Sequence, residues 1–100
     1  MRITLRYFDG CPNWRIAEER LRAALADAGS PAAAITLERV QSHEEAVRLA
    51  FRGSPTVLID GRDPFADPRA DVGLACRVYA TPDGLQGAPT RDQLRAALGE

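Results

Sequence analysis

The chain has 100 residues, of which 45% are apolar and 27% charged, and its formal net charge is -1 at neutral pH. That length suits one small domain with a modest core, and the residue balance is that of an ordinary globule rather than a disordered segment. A nearly neutral chain exerts no long-range pull on polyanions, and no apolar run reaches the roughly 18 residues that span a bilayer, so neither nucleic acid nor a membrane is an expected partner.

Residues 3 to 8, "ITLRYF", are β-branched and aromatic and are bounded by "DG", which predicts a first strand. From Pro12 to Ala28, Trp14, Ala17, Leu21, Ala24, Leu25 and Ala28 recur at three- and four-residue steps, one stripe of a helix. Pro12 suits its first turn and Gly29 its stop. Glu18 and Arg22 form a favourably oriented pair on the solvent side.

"AITLERV", 34 to 40, predicts a second strand carrying Ile35, Leu37 and Val40. Ser42 and Glu45 then stand at capping-box spacing, opening a short helix with Ala46, Val47, Ala50 and Phe51 on its buried side and Gly53 at its end. "TVLI", 56 to 59, is a short continuous apolar run of the kind buried on both faces of a sheet. The segment from 61 to 88 is rich in Gly, Pro and Asp and reads as loop around one strand, "LACRVY", at 74 to 79. Thr90 and Gln93 begin a last helix whose inner side is Leu94, Ala97 and Leu98.

The order strand, helix, strand, helix, strand, strand, helix predicts an α/β fold in one domain, with a central mixed sheet of about four strands and helices on both faces.

All 13 basic residues are arginine, which excludes chemistry that needs a lysine, such as a Schiff base. Two cysteines, with no charged-then-apolar leader in "MRITLRYFDG", fit a reducing cytoplasmic setting better than a disulfide scaffold. One of them, Cys11, falls where the first strand gives way to the first helix. A helix start leaves N–H groups unpaired and carries partial positive charge, so a negative sulfur there is favoured and Cys11 is a candidate nucleophile. Arg15 reinforces that effect and Asp9 opposes it.

The stretches "GCPNW", 10 to 14, and "SPT", 54 to 56, together with the order of elements over nearly the whole chain, resemble the thioredoxin-like superfamily. The resemblance implies that Cys11 is the attacking thiol, that Pro55 is a cis-proline packed beside it, and that the backbone of Ser54 accepts an extended substrate strand. It also makes Pro12, Trp14, Ser54, Pro55 and Thr56 the substrate-binding surface. The chain departs from the dithiol pattern at position 14, where Trp14 stands three residues after Cys11 and cannot resolve a mixed disulfide. Its indole covers the thiol, makes a sulfur–aromatic contact, or fills core space, the last being favoured for a large aromatic.

Cys76 has two readings. In a strand over 74 to 79 it shares a side with Leu74 and Val78 and is a small buried hydrophobe, the more common fate of unpaired cysteine. Alternatively the long loop returns it to Cys11, as the resolving thiol or as half of a soft-metal site. The "GCPNW" opening is also similar to small proteins grouped with alkylmercury lyases, which implies thiolates that hold mercury and a carboxylic acid among Asp9, Asp60 and Asp71. His43 beside a helix cap and the aspartates of "DPFADPRAD" lack ligand spacing and read as solvated.

The expected function is therefore monothiol exchange through Cys11, with a protein or a low-molecular-weight thiol or disulfide as partner, and with glutathione, a partner or Cys76 resolving the product. No cofactor and no resident metal enter that scheme, and nothing in it sets an oligomeric state. The alternative is a non-catalytic binding module of the same fold for a protein partner or a thiophilic metal.

Overall fold

The computed structural model describes residues 1 to 99. Strand β1 (Ile3–Tyr7) is the middle of a three-stranded sheet, parallel to β2 (Ile35–Arg39) and antiparallel to β3 (Thr56–Ile59). The register sets Ile3 between Ile35 and Ile59 and Leu5 between Leu37 and Val57. Because side chains alternate along a strand, these residues share one apolar face.

Two parallel neighbours require a crossover, and helix α1 (Asn13–Asp27) supplies it. Ala17, Leu21, Ala24 and Leu25 are its buried side and pack on Ile3, Leu5 and Val57. Gly29, at φ 82°, ends the helix: its N–H bonds Ala26 O at 3.0 Å while Ser30 N–H reaches back to Leu25 O at 2.8 Å. That is the paired C-terminal closure that favours glycine in the left-handed region.

The last helix, α3 (Arg91–Leu98), lies against α1 and adds Leu94 and Leu98 to the same core. Its start is the capping box expected from the sequence, with Gln93 N–H bonding Thr90 Oγ1 at 3.1 Å and Thr90 N–H bonding Gln93 Oε1 at 2.9 Å. On the outside, Nε and Nη2 of Arg91 each donate to Asp27 at 2.6 Å, joining the two helices. That hydrogen bonding holds the Asp27 carboxyl below its usual range.

The α/β class and the mixed sheet agree with the sequence, but three expectations change. The sheet has three strands rather than about four, because the chain after β3 does not return to it as a full strand. In place of a strand over 74 to 79 there is a separate hairpin of β4 (Tyr79–Thr81) and β5 (Gly84–Gln86). Helices do not cover both faces equally. α1 and α3 take one face, whereas α2 (His43–Arg48) packs Ala46, with Phe51, against Val40 and Phe8 just past the strand ends. It reaches the second face through Leu49, whose carbonyl accepts from Arg6 Nη1 at 3.5 Å.

Helix α2 also stops earlier than expected. Ala50, rather than Gly53, closes the helix in the left-handed conformation (φ 53°), and Phe51 N–H closes on Ala46 O at 2.8 Å. Val47 accordingly points outward and is 58% exposed. Among the described residues, no helix is long and apolar enough to cross a membrane.

Replacing Thr90 with Ala removes the cap of α3 and leaves the Gln93 amide without its partner, so a loss of about 1 kcal/mol is expected. A urea titration checks it: the midpoint falls while the slope stays unchanged.

Candidate functional site

The turn that follows β1 brings Cys11 to the head of α1. Cys11 N–H bonds Phe8 O at 3.2 Å, and Pro12 holds the N-cap position of the helix without a side-chain cap. The peptide before Pro55 is cis, and Pro55 is fully buried as the lead into β3. These two segments meet: Cys11 Sγ donates to Ser54 O at 3.5 Å. Cys11 itself is 0% exposed.

Ser54 is the junction of the site. Its hydroxyl accepts Phe8 N–H at 3.3 Å, fixing it to the end of β1. Its N–H donates to Ala75 O and its carbonyl accepts Arg77 N–H, both at 2.8 Å, so residues 75 to 77 run beside it as a parallel bridge centred on Cys76. The edge that the resemblance assigns to an extended substrate is thus filled by the protein's own chain.

Gly53 allows this approach. At φ 112° it occupies backbone space that side-chain-bearing residues rarely enter, and a Cβ there would lie 3.0 Å from Arg77 Cβ and 3.2 Å from Ala75 O.

The bridge places Cys76 beside Cys11. Cys76 is solvent-exposed, which overturns its reading as a small buried hydrophobe. It has the exposure pattern of an isolated bridge rather than a sheet-covered strand, with Val78 outward and Arg77 and Tyr79 inward. The neighbouring Cys11 side chain first, then slight burial, hold the Cys76 thiol above its ordinary value. Both cysteines are free thiols.

Arg77 anchors the bridge from the other side. Its side chain is 6% exposed and forms an ion pair with Asp63 at 2.6 Å. It also donates to Thr56 Oγ1 at 3.3 Å and to Phe65 O, and lies 4.6 Å over the Tyr79 ring. Thr56 Oγ1 donates in turn to Gly53 O at 2.7 Å. The Tyr79 hydroxyl donates to Pro55 O, and its burial pushes the phenol upward.

The remaining predicted residues divide. Trp14 stacks on Tyr7 at 4.2 Å, carries the Arg15 guanidinium 4.7 Å over its ring, and packs against the main core, in keeping with the space-filling reading. Pro12 is exposed at the cap, while Ser54, Pro55 and Thr56 are buried and structural to the junction. Asp9 is held by Arg39 at 3.1 Å, and His43 is exposed. Asp63 serves Arg77, and Asp67 pairs with Arg69. Among the described residues, no three His, Cys, Asp or Glu side chains gather as a metal site.

Sequence reasoning missed Arg77. Its signal was its place next to Cys76 in an otherwise apolar run, an arginine that a strand reading turns toward the opposite face. Beyond the bridge, Cys76 opens on a cleft of about 550 Å³ lined also by Arg52, Phe65, Asp71, Val78 and Tyr79. The chain matches no family model, no curated protein and no solved structure.

Gly53→Ala is expected to cost about 1 to 3 kcal/mol from backbone strain and the close approach. Urea unfolding reads the loss, and faster alkylation of Cys11 in the folded protein reads the loosened bridge. A second expectation concerns the thiols. Because the Cys11 side chain is the largest cause of the upward shift at Cys76, Cys11→Ser lets Cys76 ionise at lower pH than in the wild type. The pH profile of Cys76 alkylation, followed on its own peptide, checks the direction.

Proposed function

We propose that the protein is a thioredoxin-like thiol–disulfide exchange protein whose redox pair is Cys11 and Cys76. The observation that carries the reading is the pairing of Ser54 with residues 75 to 77, which sets the second cysteine beside the first across a cis-proline junction. The fold assignment draws support from the strand order β2-β1-β3, with β3 antiparallel, from the cysteine at the head of α1, and from α1 and α3 together on one face.

In this reading Cys76 supplies the second sulfur that Trp14 cannot. Two thiols give up two electrons and two protons on forming the internal disulfide, and an external disulfide takes them up as two thiols. What supports the pairing is the shared neighbour: Cys76 stands opposite Ser54, whose carbonyl accepts from Cys11 Sγ.

The same pair of sulfurs supports a second reading. Two adjacent thiolates are a donor set for a soft cation that accepts two-coordinate binding, such as Cu(I) or Hg(II). This is the binding-module alternative, with Cys11 and Cys76 as ligands and no turnover.

Oxidation of the purified protein in a glutathione redox buffer separates the readings. The exchange protein yields an internal disulfide that either Cys11→Ser or Cys76→Ser abolishes, seen as protection of both thiols from alkylation and a faster non-reducing band. Persistence of two alkylatable thiols under oxidising buffer rules exchange out and leaves the metal module.

A further inference from the structure

We propose that Cys76, rather than Cys11, makes the first bond to an external disulfide, and that this disulfide belongs to a low-molecular-weight compound entering the cleft beside Cys76. The inference rests on the exchange reading above and adds an order of events and a substrate class.

The order follows from access. A thiol exchanges only if another sulfur can approach it nearly in line with the bond to be broken. Cys11 is 0% exposed, its sulfur turned onto the Ser54 carbonyl, whereas Cys76 is exposed. An incoming disulfide therefore meets Cys76 first, and Cys11 is placed to attack from within.

The substrate class follows from two further observations. An extended polypeptide binds beside a thiol by adding backbone hydrogen bonds to a free edge. Here the N–H and carbonyl of Ser54 are already paired with Ala75 and Arg77. What lies open beside Cys76 is instead a concave space of about 550 Å³, within the ordinary range for small-molecule sites. Its walls combine Phe65, Val78 and Tyr79 with the cationic Arg52 and the carboxylate of Asp71. That mixture suits a small polar disulfide carrying charges of both signs.

The steps balance. The Cys76 sulfur, as thiolate, attacks one sulfur of the external disulfide, forming a mixed disulfide and releasing one external thiolate, which takes up the proton that Cys76 lost. The Cys11 sulfur then attacks the Cys76 sulfur, forming the internal disulfide, and its proton goes with the second external thiolate. Two protein thiols are oxidised and one external disulfide is reduced to two thiols.

Glutathione disulfide and insulin serve as the small and macromolecular probes, with adducts located by peptide mass mapping. The expected result is that Cys11→Ser accumulates a glutathione adduct on Cys76 at least about tenfold faster than Cys76→Ser accumulates one on Cys11, since exchange rates follow thiol access. In the wild type a Cys76 adduct precedes the internal disulfide, which tests the order without any substitution. Glutathione disulfide is expected to oxidise the wild type faster than insulin at equal disulfide concentration. Equal adduct rates in the two variants, or a wild-type adduct first on Cys11, would overturn the order; faster oxidation by insulin would overturn the substrate class. Absence of an internal disulfide with both probes would instead overturn the exchange reading itself.

Discussion

Two hydrogen bonds at Ser54 hold the site together. The N–H of that residue and its carbonyl each meet the 75 to 77 segment at 2.8 Å, and through them a residue 65 positions away in sequence from Cys11 comes to lie beside it. Neither bond belongs to a regular sheet. They form at a turn where the left-handed Gly53 has no side chain to block the close approach of Ala75 and Arg77. Without that turn Cys76 would be one exposed thiol in a long connection and Cys11 one buried thiol at a helix head.

Hydrogen bonds alone would not fix so long a connection, since ordering loop backbone costs roughly 1 to 2 kcal/mol per residue. The Arg77 cluster offsets part of that cost by tying three stretches at once: Asp63 and Phe65 in the loop, Thr56 at the start of β3, and Tyr79 at the start of the hairpin. A largely buried ion pair contributes little net stability compared with an apolar replacement, because desolvation opposes the attraction. Its effect here is positional. The guanidinium offers five donors in a rigid plane, and the neighbouring groups leave few arrangements that satisfy them.

How much of this was legible in the sequence depended on the range of the interaction. α1 and α3 follow from local periodicity and caps, and both appear within about a residue of their expected bounds because Thr90, Gln93 and Gly29 act through adjacent backbone. The end of α2 was misread because Ala50, a residue that seldom adopts positive φ, closes the helix by the same pair of bonds that glycine usually makes. The pattern "LACRVY" alternates as a strand does, yet a strand needs neighbours along its length, and this one bridges Ser54 at Cys76 and otherwise pairs only at its last residue, Tyr79, in the separate hairpin. Cys11 and Pro55 could be marked from their local settings. The approach of Cys76, and the burial of Arg77, depend on closing a loop whose path no short-range rule sets.

The carbonyl of Ser54 accepts from two directions, the Arg77 amide and the Cys11 thiol. Were that sulfur to lose its hydrogen, the oxygen would keep its stronger partner, a backbone amide, and so remain satisfied. The segment bearing Cys76 is thus fastened by a bond that does not depend on the Cys11 hydrogen, which separates the scaffold's geometry from the charge state of the atoms it presents.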